Sequence, residues 1–99
     1  MNYFPVVVQA IPGKGHTVYA YFSDGSVRLA DIEPAIQKGG VFAPLLDENF
    51  FRSRLTVMNG AVAWDVTGTR DETQCIDLDP IEMHRTSRIV PDPLEAQTA

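Results

Sequence analysis

Two dipeptides, Asp24-Gly25 and Asn59-Gly60, each set between alternating apolar runs, constrain this chain more than any other feature. A two-residue hairpin turn of this kind needs positive φ at both central positions, which Asp, Asn and Gly tolerate, and it fixes the pairing register of its strands. Centred on Asp24-Gly25, the first hairpin pairs Ser23 with Ser26, Phe22 with Val27, Tyr21 with Arg28 and Ala20 with Leu29. Ala20, Phe22, Val27 and Leu29 then share an apolar face. Centred on Asn59-Gly60, the second pairs Met58 with Ala61, Val57 with Val62 and Leu55 with Trp64, again with one apolar face. Turn chemistry and hydrophobic pattern agree in both, which predicts an antiparallel sheet of about four to five strands.

Short helices lie between these hairpins and after them. Pro5 to Ala10 is a β-branched run that reads as a first strand, broken by the turn residues Pro12-Gly13-Lys14-Gly15. Glu33 to Lys38 carries proline in its first turn, where the missing N–H costs nothing, and stops at Gly39-Gly40. Asp47 can cap a second helix through Phe50, Phe51 and Arg54. Asp79-Pro80-Ile81-Glu82 combines an Asp N-cap, Pro at the first position and Glu at the third, a capping box ahead of Met83. The expected class is therefore α+β, with two or three short helices packed on the sheet. Residues 1–85 form the expected domain, and residues 86–99, with Pro91 and Pro93, read as a loosely ordered tail.

A chain of 99 residues, 44% of them hydrophobic, has the usual size for one core. No stretch approaches the roughly 20 apolar residues of a membrane span, and the first residues lack a basic region ahead of an apolar run. With a single cysteine, Cys75, the chain fits a reducing compartment, and a cytoplasmic location is expected. The formal charge of −5 repels phosphate backbones, which disfavours nucleic-acid binding by this chain alone and permits a basic protein partner.

Each residue pattern that suggests chemistry has a plainer structural reading. Asp77, Asp79 and Glu82 could form a carboxylate cluster for a divalent cation, but such an ion needs several oxygens converging at about 2.0–2.6 Å, and the capping box explains the same residues. Gly13-Lys14-Gly15-His16 lacks the spacing of a phosphate-binding loop and lies between strands. His16 and His84 have no zinc-like spacing, and each reads as a surface or cap-adjacent residue. Cys75 has acidic neighbours, which oppose a reactive thiolate. The pairing of Tyr21 with Arg28, beside Tyr19, would make an aromatic and cationic sheet face, a composition enriched at protein interfaces.

The stretch from about Val18 to Met83 resembles a small bacterial family known as domain of unknown function 2442. The resemblance is carried by Phe22-Ser23-Asp24-Gly25, by Asp31 to Pro34, by Gly40-Val41-Phe42-Ala43-Pro44-Leu45 with Phe50 behind it, and by Trp64 with Ile76-Asp77-Leu78-Asp79-Pro80. The chain departs from the family in the link from Trp64 to the acidic-proline motif, where Asp65 to Cys75 lengthen a normally very short connection. The resemblance implies a small α+β protein, in some members joined to a helix-turn-helix domain or associated with toxin–antitoxin-like gene pairs. It carries over no catalytic residue.

The expected function is a non-catalytic protein-interaction module, an antitoxin-like or accessory partner of a neighbouring gene product, with Tyr19, Tyr21 and Arg28 as its contact face. Its partner would be another protein, basic in character, or a second copy of the chain. No catalytic, cofactor or metal residue is assigned. The alternatives are a small divalent-metal-dependent hydrolase using Asp77 and Asp79, and a ligand-sensing regulatory domain.

Overall fold

A computed structural model of the chain describes residues 4–71 and 74–94. Three strands open it: β1 (Val7–Pro12), β2 (Thr17–Phe22) and β3 (Val27–Asp31). Then come α1 (Glu33–Gln37), a 3-10 helix (Gly40–Leu46) and α2 (Glu48–Arg54). A second hairpin follows, β4 (Leu55–Met58) and β5 (Ala61–Trp64), then β6 (Ile76–Asp77), α3 (Pro80–Thr86) and β7 (Arg88–Ile89). The class is α+β, as expected. The strands form two antiparallel sheets rather than one, a four-stranded sheet in the order β1-β2-β3-β7 and a three-stranded sheet in the order β4-β5-β6.

The second hairpin has the register expected from its turn, with Leu55 opposite Trp64, Val57 opposite Val62 and Met58 opposite Ala61. Asn59 and Gly60 both have positive φ, 52° and 74°, the conformation that the flanking twist requires. Gly60 is also where the two sheets meet: its carbonyl accepts the Val7 N–H at 2.8 Å, and a Cβ there would stand 2.9 Å from the Val6 Cβ.

The first hairpin is displaced by one residue from the expected register. Tyr21 faces Val27, Ala20 faces Arg28 and Tyr19 faces Leu29. Asp24 does not take the positive φ that a two-residue turn would demand; Gly25 alone does so, at 89°. The Gly25 N–H donates to Phe22 O and the Phe22 N–H to Ser26 O, which makes a three-residue loop closed by a glycine bulge. The Asp24 carboxylate instead accepts the Ser26 N–H and hydroxyl. That local bond is the alternative Asp offers a turn.

One core spans both sheets. Val18, Ala20, Phe22 and Ala30 from the first sheet meet Val62, Trp64 and Ile76 from the second, with Ile36, Leu45, Phe51 and Met83 contributed by the helices. Trp64 and Phe51 are both 0% exposed, their rings 5.3 Å apart, and the indole N–H donates to the Phe51 carbonyl at 2.9 Å. The helix starts follow their local signals. Asp47 accepts the N–H groups of Asn49 and Phe50, Asp79 accepts that of Ile81, and Asp31 accepts that of Glu33. The second half of the expected capping box does not form among the described residues: the Glu82 carboxylate turns away from the cap and is engaged by the Arg85 guanidinium at 2.6 Å.

Part of the expected tail is structured. β7 joins β3, the Val90 N–H donates to Val27 O, and Pro91 to Leu94 continue beside Tyr21. Residues 95–99, also part of that tail, lie outside the described residues. The loop after Trp64 is organised by Asp65, buried at 9% exposure, whose carboxylate accepts the Gly68 and Arg70 N–H groups. Arg70 reaches back to the Thr56 hydroxyl and Val57 carbonyl, so an outward-facing carbonyl of edge strand β4 is occupied. No helix among the described residues is long and apolar enough to cross a membrane.

Candidate functional site

The one-residue displacement of the first hairpin separates the residues expected to form a contact face. Arg28, opposite the fully buried Ala20, lies on the inner face of the sheet, while Tyr19 and Tyr21 lie on the outer one. The Arg28 guanidinium donates to the His84 carbonyl at 3.0 Å and the Ser87 carbonyl at 3.4 Å, both at the end of α3, and its Nε donates to the Ser26 hydroxyl. A cation held against the last carbonyls of a helix satisfies acceptors that the helix leaves open. The tyrosines are half-buried under the C-terminal segment, with the Tyr21 hydroxyl donating to Asp92 at 2.6 Å. The expected pairing of Tyr21 with Arg28 is therefore replaced by two unrelated contacts.

The acidic candidates are also dispersed in their roles. Asp77 stands on β6 opposite Ala63, Asp79 caps α3, and Glu82 holds Arg85. No group of three or more His, Cys, Asp or Glu side chains among the described residues converges closely enough to hold a metal ion. Cys75 is half-buried just before β6. Gly13 to Gly15 turn from β1 into β2, with the Gly13 carbonyl accepting from Arg52 of α2.

Both histidines are structural fasteners, a role their spacing did not reveal. His16 Nδ1 stands 2.9 Å from the Glu33 carboxylate, tying the start of β2 to α1, and its ring meets Phe51 edge-on at 5.1 Å. Its Nε2 is buried without a hydrogen-bond partner among the described residues. His84 Nε2 stands 2.8 Å from Asp24 Oδ2, and its ring rests edge-on against Phe22 at 4.9 Å. The Ser26 hydroxyl, then His84 and the Ser26 N–H, hold the Asp24 carboxyl well below the usual carboxylate range.

The tertiary structure creates a groove that the sequence reading did not anticipate. It runs between α1 and α3 over the end of β3, with a volume of about 620 Å³. Ile32, Ala35, Leu78 and Met83 supply its apolar surface, and Asp31, Asp79 and Glu82 stand around it with Lys38 and Arg88. Buried Ile32 and Met83 anchor its two walls in the core, at 3% and 6% exposure. The α3 wall is further held by His84 on Asp24 and by Arg28 on its terminal carbonyls, so the hairpin turn and the groove are mechanically joined. The only sequence signal for this site was the pair of acidic-proline helix starts, Asp31 to Pro34 and Asp79-Pro80, which set the two walls. Their proximity comes from packing.

Comparison with known protein families, curated proteins and solved structures found no match to this chain.

Proposed function

We propose that this chain is a non-catalytic protein-interaction module whose α1–α3 groove receives a short basic segment of a protein partner, anchored by one apolar side chain. The observation that carries this reading is the groove itself: an apolar surface of Ile32, Ala35, Leu78 and Met83 bordered by Asp31, Asp79 and Glu82, the last paired with Arg85, and by Lys38 and Arg88, on a chain of net charge −5. An apolar anchor in a pocket with polar groups at the rim is the usual arrangement of a peptide site, and the acidic border favours a basic flank. An antitoxin-like or accessory role beside a neighbouring gene product is the finer form of the same proposal. It rests on the motif resemblance to domain of unknown function 2442, which we retain as a proposal.

The test is titration calorimetry of the full chain against short peptides bearing Leu or Phe flanked by Lys or Arg. Binding should be lost in Ala35→Arg, which fills the groove with a like-charged obstacle, while circular dichroism stays unchanged. It should weaken with added salt as screening grows. Failure of every basic peptide to bind, or binding retained in Ala35→Arg, removes the proposal.

The volume favours one second reading. A space of about 620 Å³ lies in the range of small-ligand sites, roughly 300–1,000 Å³, which supports a ligand-sensing domain. A thermal-shift screen of small molecules separates the two, since a sensor would be stabilised by a compound and indifferent to the peptides.

A further inference from the structure

The charged groups around the α1–α3 groove are divided by sign along each wall. Asp31 precedes α1 and Asp79 precedes α3, and each gives one carboxylate oxygen to a backbone N–H at the helix start, that of Glu33 and that of Ile81. Lys38 caps the end of α1, and Arg88 lies just past the end of α3, where it stands opposite Leu29 of β3. Glu82 is taken by Arg85 at both of its oxygens. The ion pairs among the described residues are His16–Glu33, His84–Asp24 and Arg85–Glu82, so neither Lys38 nor Arg88 is paired with Asp31 or Asp79 across the groove they share.

Opposite charges standing apart around an apolar surface constrain the ligand. Lys38 and Arg88 are exposed, and water solvates them while the groove is open. A ligand that covers the groove strips part of that water, and a neutral or purely cationic segment would leave both cations without a counter-charge, at a cost in free energy. The ligand must therefore bring an anion as well as an apolar group. A peptide carries both on one Cα only at its last residue, whose side chain and terminal carboxylate fit together into a space of about 620 Å³. We propose that the α1–α3 groove takes the C-terminus of its protein partner. The last, apolar side chain lies on Ile32, Ala35, Leu78 and Met83, its carboxylate is held by Lys38 and Arg88, and a basic residue upstream meets Asp31 or Asp79. This inference rests on the peptide-binding function proposed above and adds the requirement for a free chain end.

The test is calorimetry of the full chain with the N-acetylated peptide Gly-Lys-Arg-Ala-Leu in two forms, free acid and C-terminal amide. The acid should bind at least about tenfold more tightly, the expected worth of charge-assisted contacts to the carboxylate. Added salt should narrow the difference. Lys38→Gln combined with Arg88→Gln should erase it. Neither side chain makes an ion pair among the described residues, so near-ultraviolet circular dichroism should show an unchanged core in that variant. Equal affinity for acid and amide, or a preference for the acid that survives the double variant, would overturn the chain-end assignment while the peptide groove stands. N-acetyl-leucine binding as tightly as the peptide would also overturn it and give the groove to a small carboxylate. If neither peptide form binds, the inference falls together with the function it rests on.

Discussion

His84 on α3 and Asp24 in the first hairpin turn, sixty residues apart, meet with Nε2 and Oδ2 at 2.8 Å. The contact fastens the last turn of α3 to the sheet and thereby sets one wall of the groove. Asp24 also accepts the Ser26 hydroxyl and N–H, and these bonds hold its carboxyl below the ordinary range. In the unfolded chain it would take up a proton near pH 4. Between that pH and its lower folded value the unfolded state binds more protons, so stability rises with pH there and is lost as pH falls. Asp24→Asn should therefore be less stable at neutral pH and show a flatter loss of melting temperature below about pH 4. Thermal denaturation across the acid range measures both, and an unchanged acid slope would contradict the role given to Asp24.

Tyr21 behaves oppositely at the alkaline end. Burial first, then the hydrogen bond to the Asp92 carboxylate, pushes its hydroxyl up to about 12. The unfolded chain releases this proton near pH 10, so the contribution is fully present below that pH and is lost as pH rises toward the folded value. Tyrosinate absorbance should show a titration well above pH 10 that Asp92→Asn brings earlier.

Trp64→Phe should test the indole bond. The substitution leaves the buried Phe51 carbonyl without its donor, at a cost of about 1–3 kcal/mol for the unsatisfied group, before any loss of packing. Urea denaturation should show a lower midpoint at an unchanged slope.

Gly60→Ala and Gly15→Ala separate two penalties. Both glycines have positive φ, 74° and 58°, but a Cβ at Gly60 would meet the Val6 side chain at 2.9 Å, whereas nothing stands within 4 Å at Gly15. Gly15→Ala should cost only the left-handed strain, about 1–2 kcal/mol. Gly60→Ala should cost more and loosen the contact between the sheets, and comparison of the two unfolding free energies checks the difference.

The two hairpins show where the sequence was legible. Asn59-Gly60 places both residues at positive φ, no competing side-chain bond among the described residues draws Asn59 away, and the register follows. At Asp24-Gly25 the same pattern misled by one residue, because Asp24 binds Ser26 and only Gly25 turns left-handed. Side chains in a strand alternate with period two, so that single step moved Arg28 to the inner face and away from Tyr21.

Legible from the residues alone are the α+β class, both turn locations, the Asp-capped starts of α2 and α3, and the second hairpin's register. Each depends on φ preferences and hydrogen bonds within a few residues. The division into two sheets, the return of residues 88–94 beside the tyrosines, the fastening of α3 by Arg28 and His84, and the α1–α3 groove arise from packing across the whole chain. These join residues far apart in sequence, where packing of a shared core chooses the partners and no local preference reports the choice.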